Sequence, residues 1–312
     1  MIGPMSNTDT LHPGSHTAPV TVLAEEEWRE LAEAHATRID ELTRNHLERH
    51  ARGEKHPVWD FLFDYYRYSP GKFRRWHPGV TVALEGECPH REWKYYRSDG
   101  GLTQCDSDAF LAKRGKAARY IADLLAGTMA RTAHFDCFCL HEWAMCYKTD
   151  TPRHNLPLRL GGAGVNTVVE SHDIRCTHYD AFRFFTPPAR PLNGQQLTRE
   201  SQLSCEQSGC LHATMDLYKW AFKLEPLIPS SLILQAFELA SQARILDMQA
   251  SPYDCAELGL APIPVETTEG KAEFVHRQRA LAEQGTAIRR ELLLVLDAVG
   301  VRPASPDELP VQ

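Results

Sequence analysis

Apolar residues in the last third of the chain recur every third or fourth position. Phe274, Leu281, Ile288, Leu292 and Val295 fall on one face of a helix predicted from about Glu269 to Val299, with alternating charge on the other face. The same period predicts a helix from Ala24 to Arg52 through Trp28, Leu31, Ile39, Leu42 and His46, with acids in its first turn where the helix dipole favours them. A short helix is expected in HPVWDFLFDYYRY, closed by Ser69-Pro70-Gly71, and longer ones over Asp108–Thr128 and Ala133–Lys148. Beyond Gly209 the pattern is wholly helical. It predicts CLHATMDLYKWAFK, ended by Pro226 and Pro229, a helix from Ser230 to about Ala250, and a short one in SPYDCAELG with Ser251 and Pro252 at its start.

Three stretches break this period. VTVALEG reads as a strand followed by a turn at Asp99-Gly100-Gly101, and Pro152 to Gly164 reads as a connector. Thr167–Phe185, TVVESHDIRCTHYDAFRFF, reads as an extended segment whose alternation puts Glu170, His172, His178 and Asp180 on one side. The expected fold is mainly α, a multi-helix single domain over residues 23–300 with a short central β element. A disordered arm rich in Ser, Thr, Pro and Gly (1–22) precedes it, and a flexible tail (301–312) follows. No internal repeat is evident.

Composition adds limits. No apolar run approaches the roughly 18 to 20 residues of a membrane span, and the N-terminus lacks the charged and apolar regions of a signal peptide, so a cytoplasmic protein with no membrane partner is expected. Nine cysteines without a CxxC pair argue for buried thiols rather than a disulfide scaffold or zinc knuckle. The net charge of -7 is unevenly spread: residues 51–131 hold 14 Lys and Arg against 10 Asp and Glu, a local +4. Within them Arg67 to His77 interleaves cations with Tyr68, Phe73 and Trp76, a pattern that suits a phosphate backbone and stacked bases, or else an ordinary loop anchored by its aromatics. The pair His46 and His50 reads as solvated on so charged a helix.

Six of the fifteen histidines and six of the nine cysteines lie between His134 and Asp216, which places the chemistry there. Three readings follow. In the first, an enzyme holds a nucleobase against Trp143, Tyr179 and Phe182 while Glu170, Asp180 or Glu142 activates water. Apolar neighbours would raise the pKa of that carboxylate, and Arg175, Arg183, Arg74, Arg75 and Trp76 would contact the nucleic acid. In the second, His172, His178, Asp180, His212, Asp216 and His141 ligate iron, manganese or zinc for chemistry on a small molecule. His141 sits on an apolar helix, where a core histidine is the commoner outcome, and Glu142 points about 100° away from it along a continuous helix. In the third, these groups form a satisfied buried network in a nucleic-acid-binding or scaffold protein.

The segments HPVWDFLFDYYRY, RRWHPG, LHEWAM, VESHDIRCTHYDAFRFFTPPARPLN and GCLHATMDLYKWAFKL resemble a bacterial family commonly labelled 3-methyladenine DNA glycosylase, over most of the chain from about His56 to Arg290. The resemblance implies hydrolytic excision of alkylated bases from DNA, without a cofactor. LGGAGVNTVV is similar to the hairpin of helix-hairpin-helix glycosylases and VESHDIR to their catalytic motif, which puts Glu170 in the place of the catalytic Asp. Only six positions separate Gly164 from Glu170, where that motif has a whole helix between them.

Overall fold

A computed structural model describes residues 20–304. The fold is mainly α with one small sheet. Four short strands, β1 (Thr21–Leu23), β2 (Val82–Glu85), β3 (Tyr96–Asp99) and β4 (Leu102–Cys105), form that sheet in the order β1-β2-β4-β3. β1 runs parallel to β2 and the other two pairs are antiparallel. Gly100 and Gly101 turn the hairpin from β3 to β4 with φ of 55° and 82°, a left-handed pair that carries no Cβ penalty in glycine.

Helix α1 (Glu25–Ala51) starts with the Glu27 carboxylate accepting from the Ala24 N–H at 2.9 Å, and packs on the sheet through Trp28. The Trp28 indole donates to the Glu85 carbonyl at 2.9 Å, and its ring joins Leu84 and Cys88 in a small cluster apart from the main core. Two short helices follow, α2 (Phe61–Tyr66) and α3 (Pro70–Phe73), then the long α4 (Ser107–Ala130), whose N-cap Asp106 accepts from the Ala109 N–H. The middle of the chain holds α5 (Leu140–Ala144), α6 (Gly161–Glu170), α7 (Tyr179–Phe182) and α8 (Gln202–Cys205).

The core is built by α9 (Leu211–Lys223), α10 (Ser230–Ala250) and α11 (Thr268–Ala298), which pack on one another, while α4 lies against α11. Helix α9 is buried almost all round, so its polar side chains must find partners inside the protein. An aromatic block locks it in place: Phe237 of α10 lies 5.2 Å from Tyr218, 5.0 Å from Phe73 and 5.5 Å from Phe63, ring centre to ring centre. No helix among the described residues is long and apolar enough to cross a membrane.

Two predicted elements fold differently. Only Leu140–Ala144 of the expected helix Ala133–Lys148 is helical, because Phe138 and Cys139 take left-handed φ of 45° and 61° and break the period just before it. The face that His134, Phe138, His141 and Met145 would have shared therefore does not form. The apolar richness there reflects burial of Leu140 to Tyr147 on all sides. Thr167–Phe185 is not extended either. Its first four residues end α6, whose start Gly161–Gly164 had read as connector, and Tyr179–Phe182 form α7. A single bridge between Ile174 and Asn193 is the strand-like pairing that remains.

Smaller differences follow the same logic. The sheet is built from residues 21–105 rather than the middle of the chain, and β1 begins inside the segment read as an arm. SPYDCAELG holds only the 3-10 turn Ala256–Leu258. His46 is not solvated: it stacks on Phe63 at 4.2 Å and lies 2.9 Å from Asp60. Residues 1–19 and 305–312 lie outside the described residues, and with them the rest of the arm and tail.

Candidate metal centre

Four ligating atoms, one each from His141 and Glu142 of α5, His212 of α9 and Asp247 of α10, lie within 4.8 Å of one another in the interior. Neighbouring residues on a continuous helix diverge, but α5 is little more than one turn, and both its His141 and its Glu142 reach this spot. His141 Nε2 is 3.0 Å from Asp247 Oδ1, and its Nδ1 is 3.5 Å from the Cys137 sulfur. Arg244, one turn before Asp247 on α10, donates to Asp247 Oδ2 at 2.8 Å and lies 3.5 Å from Glu142 Oε1. The Cys139 thiol donates to the carbonyl and to Oδ1 of Asp247, both at 3.3 Å.

Burial opposes charge on Asp247, but His141 and Arg244 outweigh it and hold the carboxyl well below the usual range. Burial and the Asp247 charge together push Glu142 up, against the pull of Arg244. Among the described residues His212 finds no hydrogen-bond partner for its ring; it packs edge-on to His141 at 4.5 Å and beside His178 at 5.4 Å. Burial first, and then the neighbouring His141, drive its pKa well below the ordinary value, so the ring is neutral with a lone pair to offer.

Beyond His212 lies a second group, His178, Glu206 and Asp216, again with ligating atoms within 4.8 Å. His178 Nε2 is 3.2 Å from Glu206 Oε1 and 3.4 Å from Asp216 Oδ2. Tyr66 donates to Asp216 Oδ1 at 2.8 Å, Gln202 donates to Glu206 Oε1 at 2.6 Å, and the Lys219 ammonium sits against Asp216. Three histidines thus run in a row, flanked by the carboxylates of Glu142, Asp247, Glu206 and Asp216 and by two permanent cations, Arg244 and Lys219. Four buried carboxylates against two cations leave a deficit of positive charge, which protons or a bound cation must supply.

The expected residues divide sharply. His141, Glu142, His212, His178 and Asp216 are drawn together, and Asp180 joins through Lys219, whose ammonium is 3.3 Å from its carboxylate. Glu170 is not there: it ends α6 at the surface, its side chain 52% exposed, bonded by the Tyr147 hydroxyl at 2.7 Å and Lys148 at 2.9 Å. The bonds from Lys148 and Tyr147 lower its pKa, the reverse of the raised value expected for a base. His172, two residues past the end of α6, folds back on that helix, Nδ1 at 2.7 Å from the Val168 carbonyl.

The expected base-stacking and phosphate-binding residues are largely engaged elsewhere. Trp143 is 0% exposed and donates to the Ala250 carbonyl, and Phe182 is buried in the core. Tyr179 stays partly open beneath Arg199. Arg74 pairs with Asp40, Arg175 with Asp136, and Arg75 lies over Trp93, while Trp76 packs beside Trp28 and His90. These aromatics anchor the 67–77 stretch to the body of the protein. Arg183 does face an open cavity, described below.

Three residues of the site were missed. Glu206 lies in the histidine-rich region but shares no periodicity with His178. Arg244 and Asp247 form an i, i+3 charged pair in an otherwise apolar stretch of α10, and a charged pair on a helix destined for the core was the one signal that pointed to them. All nine cysteines are free thiols, seven of them buried, as the absence of CxxC spacing suggested. No family model, curated protein or solved structure matches the chain in comparison, so geometry alone supports the functional reading.

Proposed function

We propose that this protein is a metal-dependent enzyme acting on a small molecule, with the cation held by His141, Glu142, His212 and Asp247. The observation that carries this reading is the convergence of two imidazoles and two carboxylates, from three separate helices, within 4.8 Å. That donor set suits zinc, iron or manganese, and such an ion in this position would polarise a substrate oxygen or activate water. The protein's own contribution is to hold the ligands ready. Arg244 orients Asp247 and Glu142, Cys139 fixes Asp247, and His212 presents a neutral ring.

Base excision, which the resemblance implies, would draw its reacting carboxylate from Glu170, Asp180 or Glu142; Glu170 is a surface group on a salt bridge, and Asp180 and Glu142 are paired with Lys219 and Arg244. Elemental analysis of the purified protein tests the proposal directly. Roughly one equivalent of zinc, iron or manganese per chain is expected, lost in His212→Ala and retained in Glu170→Gln. Protein that arrives metal-free, and whose melting temperature does not rise when these ions are added, overturns it.

A further inference from the structure

A cavity of about 890 Å³ opens beside α2, between that helix and the segments carrying Arg153 and Phe184. This is within the size of small-molecule sites. Four cations, Lys55, Arg67, Arg153 and Arg183, reach its wall against a single acid, Asp64. Among the described residues, Lys55, Arg67 and Arg153 have no carboxylate within ion-pair distance, and Arg183 pairs with Asp180 at 3.2 Å. Aromatic faces line the same wall. Arg153 stacks on Phe184 at 3.7 Å with Arg183 4.4 Å from that ring, and Phe61 lies parallel to Tyr65 at 5.2 Å.

The cavity shares part of its wall with a smaller space beside the metal centre. Phe61, Tyr65, Arg153, His154 and Phe184 also line a chamber of about 20 Å³, room for about one water, whose far side is formed by Glu142, His212 and Arg244. A ligand in the large cavity therefore has its inner end one small chamber away from the proposed ligands.

We infer that this cavity is the substrate site and that the substrate is a small molecule with a planar or apolar body carrying an oxyanion, carboxylate or phosphate. Arg153 and Arg67 hold the anion, because a guanidinium with no carboxylate already on it pairs most strongly with a two-oxygen anion. Phe61, Tyr65 and Phe184 hold the body, and the reacting end points toward Glu142 and His212. The assignment rests on the metal-centre reading only for which end of the ligand reacts. An extended nucleic acid is the poorer fit, since the other cations of the 67–77 stretch are already paired or stacked.

Calorimetry on the full-length protein tests this with four probes of similar size: benzoate, phenyl phosphate, benzyl alcohol and benzylammonium. The two anions are expected to bind at least about tenfold more tightly than the neutral and cationic probes, as lost bonds to a charged group predict. Whichever anion is tighter separates carboxylate from phosphate substrates. Arg153→Gln and Arg67→Gln should each weaken the anions about tenfold; Arg67 is exposed and, among the described residues, bonded to no other side chain, so its variant guards against a folding defect in the first. No anion binding at millimolar probe, equal binding of benzyl alcohol, or anion affinity unchanged in both variants overturns the inference. So does a double-stranded oligonucleotide that displaces benzoate and fails to bind Arg153→Gln. Metal analysis of the wild-type sample used for the titration separates the two claims. Anion selectivity in wild-type protein that neither carries nor takes up metal keeps this inference and sinks the metal reading, whereas stoichiometric metal without anion selectivity does the opposite.

Discussion

His90 shows what the interior does to an imidazole. It is 1% exposed, ringed by Trp28, Trp76, Trp93 and Tyr96, and its Nε2 lies 2.8 Å from the Trp76 carbonyl while Nδ1 has no partner among the described residues. Burial pushes its pKa down to about 4 against the ordinary 6.5. The unfolded chain therefore takes up a proton near pH 6.5 that the native protein refuses until about pH 4, so stability is intact above this window and falls as pH drops through it. A displacement from 6.5 to about 4, at about 1.4 kcal/mol per unit, amounts to about 3 kcal/mol. Denaturant midpoints at neutral pH and near the bottom of that window should therefore diverge less in His90→Gln than in the wild type. Equal acid losses in the two proteins would assign the acid sensitivity to other groups. Residue type alone does not separate His90 from His212: both have pKa values depressed by burial, but only His212 stands among carboxylates from two other helices.

At the scale of elements, the long helices were legible because their period repeats over many turns. The expected Glu269–Val299 and Asp108–Thr128 correspond to α11 and α4 within a few residues. Helix α5 was not, because five residues carry too little period to show where a left-handed pair interrupts it. Glycine marks the same divide. A Cβ at Gly209 would sit 2.4 Å from the His134 carbonyl, where the chain leading to α5 crosses the start of α9; a Cβ at Gly115, inside α4, would meet nothing. Gly209→Ala is expected to cost about 1–3 kcal/mol by overpacking, and Gly115→Ala to gain about 0.5–1 kcal/mol from helix propensity. Thermal unfolding of the two variants checks the opposite signs, and a neutral Gly209→Ala would mean that the crossing is looser than it stands here.

For the molecule as a whole, two cores of unequal size predict unequal local stability. The Trp28 cluster joins the sheet to α1, while the main core runs through α9, α10 and α11. Trp28→Ala is expected to cost about 3–5 kcal/mol, and hydrogen exchange should quicken at the amides of β2 and β4 while those of α9 and α10 stay protected. Uniform quickening would mean that the two cores unfold as one. The long helices, the glycine turn and the residue types of the site follow from the chain alone, because each is set by neighbours a few positions away. Assembly of the site does not: Asp247 meets His141 from 106 positions away, and Glu206 meets His178 across a loop with no period of its own. Glu170 and His172, which share a short stretch with His178, are instead left outside it, because α6 is a helix rather than a strand and its end aims them elsewhere. A local period fixes which way a side chain leaves its own helix, but only the packing of α5, α9 and α10 on one another decides which of those side chains meet.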